Sequence, residues 1–122
     1  MKFLTTILLA TACCVGVAQA GGDIGGKYKV QGTNFDGTKY SGEATITITS
    51  ETTCAIEWQT GADSSSEGIC MRNDDSFAAA YKMKDGSVGL IIYKMAKNGT
   101  MDGVWTLTGK DGAGTEVLTP EK

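Results

Sequence analysis

The run Tyr40-Ser41-Gly42-Glu43-Ala44-Thr45-Ile46-Thr47-Ile48-Thr49 alternates, residue by residue, between an apolar or small side chain and a polar one. An extended strand places every second side chain on one face, so this pattern specifies a β-strand with one dry face and one wet face. The same alternation surrounds it. Tyr28 and Val30 alternate with Lys27, Lys29 and Gln31, and Cys54, Ile56 and Trp58 alternate with Ala55 and Glu57. Further strands are expected at Gly68–Arg72, Phe77–Lys82, Val88–Tyr93, Met101–Leu107 and Thr115–Leu118. That makes about eight strands at the spacing of a barrel or sandwich. After residue 20 no stretch keeps apolar residues at helical spacing for long, and the sequence's 17 glycines against one proline suit tight turns between close-packed strands. The fold class is all-β.

The turns carry hairpin chemistry. Asp36-Gly37, Asp85-Gly86, Asn98-Gly99, Asp102-Gly103 and Asp111-Gly112 offer the positive φ angles that short hairpins need. None has the ligand spacing of a calcium loop. Asp102-Gly103 lies near a strand start and also reads as a bulge. Two segments are alike: Gly26, Tyr28, Val30 and Gly32 before Asp36-Gly37, and Gly103, Trp105, Leu107 and Gly109 before Asp111-Gly112. On one strand face this order lets an aromatic ring lie over neighbouring glycines. A closed sheet brings its first and last strands together, where such packing can repeat.

The N-terminus reads as an export signal. Lys2 supplies the positive start, Phe3 to Val17 the apolar stretch, and Ala18-Gln19-Ala20 the small-residue cleavage site. Residues 1–20 are therefore expected to be a signal peptide and 21–122 a single domain, periplasmic or secreted. A retained anchor fits less well, because the stretch is short and interrupted by Thr5, Thr6 and Thr11. A lipoprotein cut before Cys13 or Cys14 fits less well too, because Ala10 stands where a leucine is expected. Cleavage leaves Cys54 and Cys70 in an oxidising compartment, where a lone pair is most simply a disulfide. Closing a loop of this size is worth about 3 kcal/mol. A hairpin around Gly61 to Ser66 sets the two cysteines opposite each other. However, Cys70 then shares a face with Gly68 and Arg72, while Ile69 and Met71 face the other way. Either a bulge or a bridge at the rim follows.

Charge and composition narrow the chemistry. Losing Lys2 leaves the chain one unit more negative than the formal −3 of the full sequence, and Arg72 is its only arginine. Nucleic acid and anionic membrane surfaces are poor partners for it, and no membrane insertion is expected after cleavage. The absence of histidine removes the usual base for a serine nucleophile and every histidine metal site. Asp74-Asp75 is an adjacent pair, but neighbours on a strand point apart, so a solvated turn is the reading; Glu57, Glu67 and Glu116 lie in or beside strands. No catalytic residue, metal or cofactor is expected. Trp58, Trp105, Tyr28, Tyr40, Phe77, Tyr81 and Tyr93 either fill a small core or line a pocket in a barrel mouth. Trp58 borders the Gly-Ser-rich loop, and Val88–Tyr93 is apolar on both faces. Trp58, Ile91 and Tyr93 are accordingly the candidate binding surface.

The run from Gly26 to Gly42 (GKYKVQGTNFDGTKYSG) resembles the opening of a group of small secreted alphaproteobacterial proteins, rhizobial ones especially. Cys54–Trp58, Glu67–Arg72, Asn98–Trp105 and Gly112–Thr119 are similar to later parts of the same group. Its members often carry the label "fibronectin-binding protein", so the resemblance implies a matrix protein as partner, without assigning contact residues. A looser likeness, through Gly26-Lys27-Tyr28, is to avidins and lipocalins. It implies an antiparallel barrel of calycin- or avidin-like architecture. The expectation is thus an exported, non-catalytic binding protein of the envelope or extracellular space. The alternatives are a barrel carrying a small hydrophobic ligand, with a cavity beside Trp58 or Trp105, or a hydrolase inhibitor projecting the Gly61–Ser66 loop.

Overall fold

A computed structural model describes residues 24–61 and 64–121; the expected signal peptide, Cys13, Cys14 and the middle of the Gly61–Ser66 loop lie outside them. Eight strands follow one another: β1 Gly26–Thr33, β2 Lys39–Ile48, β3 Thr53–Gln59, β4 Ser65–Asn73, β5 Ser76–Met83, β6 Val88–Met95, β7 Met101–Leu107 and β8 Gly114–Pro120. Each pairs antiparallel with the next, and β8 pairs back on β1 to close the barrel. Closure leaves none of these eight strands with an unpaired edge.

The expected turns are where the backbone needs them. Gly37, Gly86, Gly99 and Gly112 all have positive φ, and Asp74, in the β4–β5 turn, joins them at φ 54. Asp102-Gly103 is neither turn nor bulge. The β6–β7 register runs through it without a break, and Gly103 has no positive φ. Its lack of a Cβ serves another purpose: the ring of Tyr93, its partner across the ladder, lies over it, and a Cβ there would come 2.7 Å from Cδ1. The same pairing of aromatic and glycine recurs at Tyr40 over Gly32, Tyr81 over Gly89 and Trp105 over Gly114. The ring-over-glycine expectation therefore holds for Trp105, whereas Tyr28 of the matching segment lies opposite Ala44 and Pro120.

Cys54 and Cys70 are direct cross-strand partners, disulfide-bonded with Cα atoms 4.9 Å apart. The β3–β4 register is unbroken from Thr53↔Met71 to Gln59↔Ser65, so no bulge is present. Instead Cys70 faces the lumen and β4 turns its larger apolar residues outward, Ile69 being 74% exposed. The bridge crosses the interior, where both cysteines are buried.

The lumen has two halves. Towards the β2–β3, β4–β5 and β6–β7 turns it is packed with Phe77, Ile56, Met101, Leu118 and Val30, all essentially inaccessible. The Phe77 and Tyr93 rings stack there at 5.2 Å. Ile24 covers this end, held by a 2.6 Å hydrogen bond that the Tyr28 hydroxyl donates to its carbonyl. A cleft of about 450 Å³ lies outside this plug, beside Met95 and Pro120. The other half opens among the β1–β2, β3–β4, β5–β6 and β7–β8 turns.

Candidate functional site

The open half contains a cavity of about 460 Å³. Its walls are Trp58, Trp105, Tyr40, Tyr81 and Phe35, with Met83, Ile91 and Leu107 between the rings. The rings meet edge to face: Phe35–Trp105 at 4.7 Å, Trp58–Tyr81 at 5.4 Å and Tyr40–Trp105 at 6.2 Å. Such contacts hold aromatic side chains in place without closing the space between them. Two rings are also tethered to the wall, since Trp105 Nε1 donates to the Thr115 carbonyl at 3.2 Å and the Tyr81 hydroxyl to the Thr106 carbonyl at 2.8 Å. Lys110 stands at the exposed mouth.

The floor of the cavity holds a buried carboxyl group. Glu116, on β8, is 4% exposed. Its inward neighbours on both adjacent strands are glycines, Gly32 on β1 and Gly103 on β7. One strand further out on each side, Tyr40 and Tyr93 lie across those glycines. Their hydroxyls thereby reach the carboxylate, Tyr40 donating to Oε1 at 2.9 Å and Tyr93 to Oε2. Trp58 Nε1 donates to Oε2 at 3.2 Å from β3. A Cβ at Gly32 would sit 2.0 Å from the Tyr40 ring, so only glycine leaves the tyrosine this path.

Among the described residues no lysine or arginine pairs with Glu116; Lys27 and Glu43 form an ion pair on the outer wall. Burial raises the Glu116 pKa above the ordinary carboxylate value, and the three donors only partly pull it back. The effect is mutual. Tyr81 is pushed up to about 12, first by burial and then by the nearby carboxylate, and Tyr40 and Tyr93 are raised for the same two reasons.

No family model matches the sequence, and no curated protein matches it. Solved structures do. The chain is similar to small designed β-barrels. A redesigned barrel superposes with a TM-score of 0.72 at 17% identity, covering 81% of this chain and 92% of that one. The redesigned barrel mFAP1, bound to DFHBI, gives 0.71 at 20% identity over 79% and 94% of the two chains. A de novo fluorescence-activating barrel gives 0.66 at 13% identity over 80% and 93%. At these identities the likeness is one of fold.

The candidate binding surface of Trp58, Ile91 and Tyr93 requires correction. All three point into the barrel, at 6%, 3% and 0% exposure. Trp58 and Ile91 line the cavity, while Tyr93 is packed beneath it and reaches it only through its hydroxyl on Glu116, so the three belong to the interior. The outward apolar residues of β6 are Val88, Leu90 and Ile92. They continue across the ladder into two rows, Ile69–Ala80–Leu90 and Met71–Ala78–Ile92–Val104, on the outer wall of β4 to β7. Asp74 and Asp75 are exposed in their turn, and Glu57 and Glu67 pair across β3–β4 on the outside. Glu116 is the acidic residue that the sequence did not single out. Gly114, Glu116 and Leu118 share a face, which was the available signal, but Val117 beside them made the direction of that face ambiguous.

Proposed function

We propose that the protein is an exported binding barrel that holds a small, largely apolar molecule in its open half, in the periplasm or outside the cell. The aromatic-walled cavity carries this reading. Its size falls within the range of sites for small organic ligands, and its lining joins many apolar groups to a few convergent polar ones. The disulfide suits a non-reducing compartment. Titration with the neutral dye N-phenyl-1-naphthylamine tests the reading. One dye per chain should bind with enhanced emission, Trp105→Ala should weaken it at least tenfold, and Leu90→Ser on the outer wall should leave it unchanged. Dye binding that follows Leu90→Ser rather than Trp105→Ala sinks the carrier reading.

A second reading rests on the outer wall, where Ile69, Met71, Leu90, Ile92 and Val104 are each more than half exposed. A connected apolar face of this kind is a protein-docking feature, and it favours the matrix-protein partner, fibronectin by its label, that the sequence resemblance implies. Isothermal titration of fibronectin into the protein should then give heat that Ile92→Lys abolishes. Sedimentation of the protein alone shows whether the face is instead taken by a second copy.

A further inference from the structure

We propose that the cavity is selective for a flat aromatic molecule bearing a protonated amine, whose ammonium hydrogen-bonds to the Glu116 carboxylate at the floor. The inference rests on the carrier reading and names the class of ligand. An ionised carboxylate offers about four acceptor positions. Three are taken, two on Oε2 by Trp58 and Tyr93 and one on Oε1 by Tyr40. The open position is on Oε1 of a side chain that lines the cavity.

Every donor the barrel supplies is neutral. A buried carboxylate without a counter-charge is expensive to keep, and an apolar or amide side chain would pack the same floor at lower cost. Three hydrogen bonds orient the group, and its ionised form still lacks a counter-charge. The walls complete the match, because the faces of Trp and Tyr rings attract cations and the same rings stack on a flat apolar body. Around Glu116 the groups that titrate are Tyr93 on β6, Tyr40 on β2 and Tyr81 on β5, all neutral at ordinary pH; Trp58 on β3 does not titrate. Lys110 is at the mouth, in water, where solvent and salt screen it.

Calorimetry with three ligands sharing one ring separates the terms: 1-naphthylmethylamine, 1-naphthalenemethanol and 1-naphthaleneacetate, at pH 7.5 and moderate salt. The amine should bind at least tenfold more tightly than the alcohol, and the carboxylate most weakly. In Glu116→Gln the amine and alcohol should become equal, with alcohol affinity retained because the ring site is intact. A control needs no variant. In the wild type the amine-to-alcohol ratio should shrink as pH falls and Glu116 takes up its proton, while the amine itself stays protonated. Equal affinity of amine and alcohol in the wild type overturns the inference and leaves the carrier reading standing. Tightest binding of the carboxylate overturns it in favour of Lys110. Binding of none of the three removes both.

Discussion

The two halves of the lumen are built from the same kind of strand and do opposite things with their aromatic rings. In the packed half, Phe77 and Tyr93 stack and exclude everything else. In the open half, Trp58, Tyr81, Trp105, Tyr40 and Phe35 touch at their edges and stand around a space. Alternation decides which residues face inward but not whether they fill the interior. Filling depends on what lies opposite. Tyr93 has Gly103 on one side but meets the Phe77 ring on the other, whereas Trp105 and Tyr81 have no ring opposite them on either neighbouring strand, so their rings lie along the wall. Stability and binding are therefore expected to separate along the barrel axis.

The largest effect that tests this separation comes from the packed half. Phe77→Ala should cost about 3–5 kcal/mol in urea unfolding, yet leave dye affinity of the folded protein within twofold. A parallel loss of affinity would show that the halves act as one unit. Replacing Cys54 and Cys70 together by serine should cost about 3 kcal/mol, again without moving dye affinity. Trp105→Ala reverses the pattern: about 1–2 kcal/mol of stability, since the residue is only partly buried, against a tenfold or greater loss of binding. The smallest effect is at the boundary. Folded Glu116 holds its proton more tightly than the unfolded chain, whose carboxyl titrates near 4.5. Stability should then fall as pH rises from about 4.5 through the folded pKa, because ionising the buried group favours unfolding. Glu116→Gln should remove that decline. Superimposable stability–pH curves for variant and wild type would place the carboxyl at its ordinary pKa.

Eight strands, four of their turns and the bridge were legible because each depends on neighbours in sequence: alternation within a strand, Asp-Gly or Asn-Gly between strands, and two cysteines equidistant from one loop. The orientation of β4 became legible only with its partners. Ile69 and Met71 outweigh Gly68 and Cys70 in hydrophobicity, yet Cys54 on the adjacent strand fixes Cys70 inward. The same logic misplaced the binding surface. On β6 both faces are apolar, and the choice between Ile91 with Tyr93 and Leu90 with Ile92 is made by register with β5 and β7. The Glu116 site was hidden more deeply. Its donors stand 76, 58 and 23 residues away and none is on an adjacent strand, so no local pattern connects them.

That arrangement has a consequence for how the chain is made. β8 is the last of the eight strands in chain order, and it carries the acceptor that Tyr40, Trp58 and Tyr93 share. Until it arrives, three ring donors from the middle of the chain have no common partner, and the sheet keeps two open edges. The arrival of one strand satisfies both deficits together, pairing with β1 and β7 while its glutamate collects the donors. Such late, long-range contacts slow folding. They also make ring closure a checkpoint, because a chain shortened before Gly114 lacks the seam and the acceptor at once.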